Sequence, residues 1–438
     1  MTATPETIVS RPIARPLDGW LRVPGDKSVS HRSLMFSAIA SGTSRIRGLL
    51  EGEDCLATAN AMRALGVAVT REAEGDWRVV GRGLRGLEAP AAELDLGNSG
   101  TGMRLLCGLM AAQSFSSTLI GDASLSTRPM RRVINPLSAM GARIDSVDGH
   151  APLVIHPAES LEGVNFEMPI ASAQLKSALL IAGLYAASPT TLHEPAPSRD
   201  HTERMLSAMG AEVTRDGSTV RIAPCQRLEA VDIRVPADLS SAAFFLVAAS
   251  LVPGSELTLE AVGINPTRRG VLDILEAMGA DISLANPQTV GGEPVADLTV
   301  RGVTLKGARI PESLVPLAID EFPVLFVAAA AADGVSEFSG LAELRHKESD
   351  RIGVMAAGLR ALGVRVEEGD DWVRIEGGQL AGGTVDSHGD HRIAMAFAVG
   401  ASVAAAPVTI GNAREIATSF PNFLELAGTA GLSVGPAA

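Results

Sequence analysis

Aromatic residues make up only 3% of this 438-residue chain, and there is a single tyrosine. That leaves little material for stacking nucleic-acid bases. The balance of 50 Asp and Glu against 37 Lys and Arg, a net charge of −13, repels phosphate backbones as well. A nucleic-acid partner is therefore not expected. Three cysteines, Cys55, Cys107 and Cys225, lie far apart, form no metal-ligand pair and point to a reducing compartment. Apolar runs such as Ala242–Ala249 fall well short of the roughly 18 residues that a membrane span needs. The leading segment MTATPETIVSRPIARP lacks the apolar stretch of a secretory signal. A soluble, cytoplasmic protein with no membrane partner is predicted. Lysine is scarce too: Lys27, Lys176, Lys306 and Lys347 are the only four, so arginine supplies the other 33 of the 37 basic residues. A lysine kept in that background points to a need for a compact charge or a proton carrier, neither of which arginine provides.

What is present is a folded core. Hydrophobic residues are 46% and charged residues 20%, and the length suits two or three domains. A motif x-Ala-(Met/Leu)-Gly-(Ala/Val)-x-(Val/Ile) recurs as RALGVAV, SAMGARI, SAMGAEV, EAMGADI and RALGVRV, then as a degraded GTAGLSV. Its glycines are Gly66, Gly141, Gly210, Gly279, Gly363 and Gly431, at steps of 75, 69, 69, 84 and 68 residues. Each copy reads as an amphipathic helix stopped by glycine, followed by a strand, a tight turn and a second strand. Between the copies run six apolar helices with polar starts, at Lys27-Ser28, Asn98–Thr101, Ser172–Gln174, Asp238–Ser241, Asp320-Glu321 and His388–Arg392. The period exceeds that of common solenoids. Six globular α/β units, grouped as two domains of three with a boundary near Leu228–Val235, are expected.

A helix start offers free N–H groups and the positive end of the dipole, and so attracts anions. Here the starts also carry cations that the dipole disfavours: Lys27 with Arg32, Lys176 and Arg392, with Arg128, Arg199, Arg268, Lys347 and Arg351 at the second helices. Parallel helices would gather these starts on one face of each domain, and two such faces would form a cleft for anionic ligands. Ordinary capping by Asp, Ser and Asn explains single starts but not the repeated cations. Three apparent motifs are set aside. Gly81-x-Gly83-x-x-Gly86 is not followed by a helix. Gly25-Asp26-Lys27-Ser28 lacks the first glycine of a phosphate-binding loop, at position 21. The Asp386–His391 cluster adjoins Arg392, which disfavours a metal. For chemistry the starts offer Asp320, Glu321, Glu348 and Lys27, whose like-charged neighbours would favour giving up a proton. The residues thus read as a two-domain enzyme without metal or cofactor, acting on two anionic small molecules by acid/base catalysis.

Taken together, PGDKSVSHR (24–32), LGNSGTGMRL (96–105), STRPM (126–130), SAQLKSALL (172–180), DEFPVL (320–325), ELRHKESDRI (343–352), GDHRIAM (389–395) and ATSFPNF (417–423) resemble, in order, the EPSP synthase (3-phosphoshikimate 1-carboxyvinyltransferase) family of enolpyruvyl transferases. The resemblance implies an α/β fold of two domains, each of three βαβαββ-type units around buried parallel helices. These would be 22–232, and 1–21 plus 233–438, with the active site in the cleft between them. It implies transfer of the enolpyruvyl group of phosphoenolpyruvate to the 5-hydroxyl of shikimate 3-phosphate through a tetrahedral intermediate, with phosphate released. No cofactor or metal is implied, and a monomer is expected. Carried over by motif, Lys27, Ser28, Arg32, Ser172, Ala173, Gln174, Arg199 and Lys347 hold shikimate 3-phosphate, with Lys27 and Gln174 reaching both substrates. Arg128, Arg351, Arg392 and the Gly100 backbone bind phosphoenolpyruvate, and Asn98 belongs to the same substrate site. Asp320 is the implied base for the 5-hydroxyl, while Glu348 and Lys27 move protons at the methylene carbon and in the elimination.

Two departures matter. Thr418 stands where many members have a lysine that contacts phosphoenolpyruvate, and Ala173 replaces a serine. Both resemble the branch containing glyphosate-tolerant enzymes, whereas Gly100 is the residue of sensitive members, so glyphosate is expected to compete with phosphoenolpyruvate. The alternatives are a UDP-N-acetylglucosamine enolpyruvyl transferase and a non-catalytic anion-binding relative. Lys27-Ser28 and the absence of cysteine from Gly121–Met130 disfavour the first. The intact Lys27, Asp320 and Glu348 disfavour the second.

Overall fold

The computed structural model describes residues 4–437. Among them the helices of seven residues or more fall in pairs. They are α1 (Lys27–Ile39) with α2 (Glu53–Ala64), α3 (Gly100–Met110) with α4 (Arg131–Ala139), and α5 (Ala173–Gly183) with α6 (His201–Ala208). The later pairs are α7 (Leu239–Leu251) with α8 (Gly270–Ala277), α9 (Phe322–Ala330) with α10 (Arg351–Ala361), and α11 (His391–Gly400) with α12 (Phe423–Thr429). The odd-numbered helices are the apolar ones; every residue of α7 is buried. They pack closely. A Cβ on Gly108 of α3 would stand 2.1 Å from the Ala178 carbonyl oxygen of α5, so only glycine permits that approach.

The even-numbered helices stop where the sequence motif says they must. All six motif glycines lie at φ between +81° and +101°. The N–H one residue beyond each reaches back to the carbonyl at the start of the last turn, Val67 to Met62 (3.1 Å), Ala142 to Leu137 (3.0 Å) and Ala211 to Leu206 (2.9 Å). Ala280 to Leu275 (2.9 Å), Val364 to Leu359 (3.0 Å) and Leu432 to Ala427 (2.8 Å) repeat it. This left-handed cap satisfies carbonyls that would otherwise be orphaned and turns the chain into the next strand.

Among the described residues, five of the six helix pairs belong to a small mixed sheet in which one parallel pairing is followed by antiparallel ones. In the third, Asn165–Glu167 pairs parallel with Thr190–His193, which pairs antiparallel with Thr219–Ile222, which pairs with Val213–Asp216. Three sheets borrow a strand from far along the chain. Ile233–Arg234 lies parallel to Ile46-Arg47. Asp18–Leu21 lies parallel to Glu256–Leu259. Ile8–Arg11 sits between Val408–Gly411 and Ser433–Pro436. The sheet of Val335–Phe338, Val373–Glu376 and Arg365–Glu368 has three strands, with isolated parallel bridges at Lys306–Asp333 and Arg309–Glu337 where the others carry a fourth.

The chain divides into two compact units. One comprises Gly25–Val235 with Val290–Glu293; the other holds the chain up to Pro24, Pro236–Thr289 and everything from Pro294. Each has its own apolar core. In the second, Phe244, Phe245, Phe420 and Phe423 form a cluster of edge-to-face and tilted contacts with centroids 5.5–6.3 Å apart.

The caps can be tested in isolation from packing, because a Cβ at Gly210 or Gly279 meets nothing within 4 Å. Alanine at either position should cost about 1–2 kcal/mol through the left-handed backbone alone. Gly428→Ala, equally unobstructed but inside α12, should gain about 0.5–1 kcal/mol. Urea-unfolding midpoints that move the same way for all three variants would contradict this assignment.

Candidate active site

In the Gly25–Val235 unit the starts of α1, α3 and α5 are tied together by side chains. Asp26, Ser99 and Ser172 cap them, accepting from the N–H groups of Val29 (2.8 Å), Gly102 (3.0 Å) and Leu175 (3.3 Å). Arg32 Nη2 donates to Ser177 Oγ (2.6 Å), joining α1 to α5. Gln174 Nε2 donates to Thr101 Oγ1 (2.9 Å), joining α5 to α3, and Gln174 Oε1 accepts from Arg104 Nη1 (2.7 Å). The amide of Gln174 is thereby fixed at both ends. Arg128 Nη2 bonds to Asn98 Oδ1 and to Ser124 Oγ (3.3 Å), while Asn98 Nδ2 donates to Asp122 (2.8 Å). Gly100 leaves the space they need: a Cβ there would stand 3.1 Å from Nη1 of both Arg104 and Arg128. Its own N–H is turned to the Asn98 carbonyl (3.0 Å).

Lys27 is not among cations only, contrary to what its sequence neighbours imply. Instead its ammonium pairs with Asp54 of α2. Arg32 is 2% exposed and spends its donors on Thr202 Oγ1 (2.7 Å), Ser177 and the Ser28 carbonyl (2.9 Å). Burial lowers its guanidinium to about 10, with Glu203 and Asp26 opposing and Arg199 adding to the effect, so it stays charged at neutral pH. Lys176, expected among the anion-attracting cations, is fully enclosed by Glu194 and Glu203. An ammonium neutralised by two carboxylates has nothing left for a ligand, and that expectation is withdrawn.

The other unit repeats the pattern with more acid. Asp238 caps α7 through Ser240 N (2.8 Å), and Asp390 caps α11 through Arg392 N (3.0 Å). Ser240 Oγ bonds to both Glu321 and Arg268. Arg392 Nη1 donates to the Asp320 carbonyl (3.1 Å) and lies 3.7 Å from Glu321. Around Asp320 the charges are dense: Oδ1 is 3.1 Å from Lys347 Nζ and 3.5 Å from Arg351 Nη1. Arg351, 1% exposed in its side chain, also grips Glu348 (2.6 Å) and Asp390 (2.7 Å). Burial opposes the charge on Arg351, but Asp390, Glu348 and Asp320 together outweigh it and its pKa is raised. A carboxylate set held by a permanent cation is aligned without being consumed. Thr418 turns inward, donating to the Glu415 carbonyl (2.7 Å).

Among the described residues no group of three or more His, Cys, Asp or Glu is arranged to hold a metal ion. In the Asp386–His391 segment, Asp386 accepts from His388 N and Asn412 Nδ2, both at 2.7 Å. Residue-level reading missed Asp54, Arg104 and the bracing roles of Asp390 and Glu321. Arg104 was findable, because it follows Gly100 by four residues and shares its helix face. Asp54 was not, since nothing in its own helix distinguishes it from an ordinary first-turn acid.

Comparison with known proteins gives the family. A family model described as EPSP synthase (3-phosphoshikimate 1-carboxyvinyltransferase) matches residues 12–426. The chain is 59% identical over 420 residues to the 3-phosphoshikimate 1-carboxyvinyltransferase of Alkalilimnicola ehrlichii, covering 95% of this chain and 94% of that protein. It is 57% identical over 419 residues to that of Methylococcus capsulatus, covering 95% and 96%. Among solved structures, an EPSP synthase from Acinetobacter baumannii superposes with a TM-score of 0.88 at 49% identity, covering 98% of this chain and 99% of that one. The enolpyruvyl transferase NikO from Streptomyces tendae shares the fold, with a TM-score of 0.75 at 18% identity over 98% of this chain and 99% of that one. The chain belongs to the EPSP synthase (3-phosphoshikimate 1-carboxyvinyltransferase) family.

Proposed function

We propose that this chain transfers the enolpyruvyl group of phosphoenolpyruvate to the 5-hydroxyl of shikimate 3-phosphate, releasing phosphate, as a cytoplasmic monomer. The observation that carries the reading is the set of cations and carboxylates gathered at buried helix starts of each unit. Both substrates carry a phosphate and a carboxylate, and this arrangement supplies charge for four anionic groups together with paired acids and bases. No described helix is long and apolar enough to cross a membrane, and all three cysteines are free.

In this reading Lys27, Ser28, Arg32, Ser172, Gln174, Arg199 and Lys347 take shikimate 3-phosphate, Ala173 through its backbone alone. Arg128, Arg351 and Arg392 take phosphoenolpyruvate, with Asn98 orienting Arg128 and Gly100 leaving room beside it. Asp320 accepts the proton of the 5-hydroxyl, whose oxygen adds to C2 of phosphoenolpyruvate while a proton is delivered to C3. The resulting tetrahedral intermediate loses phosphate from C2 and a proton from C3, restoring the double bond. Glu348 and Lys27 serve these two proton transfers at carbon. Lys27 works against Asp54 and Glu348 against Arg351, so each is held in place and supplied with a counter-charge. Lys27 belongs to the Gly25–Val235 unit, and Asp320 and Glu348 belong to the other.

The test is phosphate release from phosphoenolpyruvate with and without shikimate 3-phosphate, in the presence of a chelator. Release that depends on shikimate 3-phosphate is expected. Release only with UDP-N-acetylglucosamine would move the chain to the other enolpyruvyl transferase branch, and none with either would leave an anion binder. Asp320→Asn and Glu348→Gln should each lower kcat by about 10²–10⁴-fold while shikimate 3-phosphate still binds; variants that turn over normally would remove those roles.

The geometry at Gly100 gives a separate prediction. A methyl there presses on Arg104 and Arg128 at 3.1 Å. Gly100→Ala should raise the inhibition constant of glyphosate more than it raises the KM of phosphoenolpyruvate. Equal inhibition constants for the two proteins would contradict it.

A further inference from the structure

Lys176 is one of only four lysines in an arginine-dominated chain, and the proposed reaction gives it no part. Its surroundings explain why it is lysine. The ammonium is fully buried and meets three acceptors: Glu203 Oε1 at 2.7 Å, Glu194 Oε2 at 3.2 Å and the Ser198 carbonyl oxygen at 3.1 Å. An ammonium has three N–H donors, so the match is complete. A guanidinium would bring five donors and a larger plane into a site with no exposed surface. Arg215, from the strand Val213–Asp216, adds a second cation to the same carboxylates, 3.0 Å from Glu194 and 3.4 Å from Glu203. Two cations against two carboxylates leave the cluster neutral, with Arg215 reaching it from the surface.

The cluster spans three pieces of the substrate site. Lys176 lies two residues beyond Gln174 on α5. Glu203 is on α6, beside Thr202, which accepts from Arg32 and bonds to Ser177 (2.7 Å). The Glu194–Ser198 loop is closed on the same ammonium at both ends, with Ser198 Oγ also bonded to Glu194. The next residue is Arg199. We propose that Lys176 is a positioning residue for shikimate 3-phosphate. By fixing the Ser198 carbonyl against α5 it holds Arg199 at a set distance from Ser172 and Gln174, so that the phosphate contact and the ring contacts form one rigid frame. This rests on the reading above that Arg199 takes shikimate 3-phosphate, here through its phosphate.

Lys176→Met alone would strand two buried carboxylates against one arginine and confuse folding with binding. The informative variant is Lys176→Met with Glu203→Gln, which keeps Arg215 against Glu194 and the cluster neutral but removes the tether to Ser198. Calorimetric titration should show its Kd for shikimate 3-phosphate raised about tenfold, the scale of one lost charge-assisted contact. The KM for phosphoenolpyruvate, measured at saturating shikimate 3-phosphate, should stay within about twofold, since none of its proposed contacts involves this loop. Arg199→Gln should weaken shikimate 3-phosphate binding in the parent protein and add little in the Lys176→Met/Glu203→Gln background. Parent-like affinity in that background, or the full effect of Arg199→Gln repeated there, would overturn the tether while leaving Arg199 as a contact. An Arg199→Gln variant that binds normally would remove the contact itself and the tether with it.

Discussion

A buried helix start is already positive, by about half an elementary charge. A lysine or arginine placed on it repels the dipole and needs acceptors or a counter-charge beside it. That constraint organises both units. Lys27 at the start of α1 is answered by Asp54 of the neighbouring helix. Arg392 at the start of α11 is answered by Glu321 and the Asp320 carbonyl, and Arg351 at the start of α10 by Asp390, Glu348 and Asp320. Two of these carboxylates, Asp320 and Glu348, are also proposed proton-transfer groups.

The rest of the fold serves to hold that charge pattern still. Apolar helices on the inside bring their starts together, and glycine close to the Ala178 carbonyl lets two of them approach at backbone distance. The second helix of a pair can supply a counter-ion from the side, as α2 supplies Asp54 and α10 supplies Arg351. The left-handed glycine caps end those helices in the same way six times, so each returns its chain to its sheet. Capping, close packing and charge pairing therefore act on the same few helix ends.

The repeat was legible because its signals are local: a glycine that must take positive φ, an apolar run with a polar start, a turn between two short strands. The helix starts carrying Lys27, Gln174, Asp320 and Arg392 were found the same way. What could not be read was pairing. Asp54 touches Lys27 across two helices, Glu321 meets Arg268 and Ser240 from separate segments, and Lys176 is enclosed by acids 18 and 27 positions further along. Sequence spacing ranks these contacts no higher than many others, since only packing brings them together. The scarcity of lysine pointed at Lys176 as a compact charge, and the ammonium is indeed closely fitted; only its place among the anion-attracting cations did not hold, because its carboxylates enclose it.

In enolpyruvyl transfer the bond broken joins C2 of phosphoenolpyruvate to its bridging oxygen. Phosphoenolpyruvate labelled with ¹⁸O at that bridging position tests this most directly. With shikimate 3-phosphate as acceptor, the label should leave entirely in the released phosphate. Label retained in the organic product would mean that the phosphorus–oxygen bond had broken, and that the charged frame serves phosphoryl transfer instead.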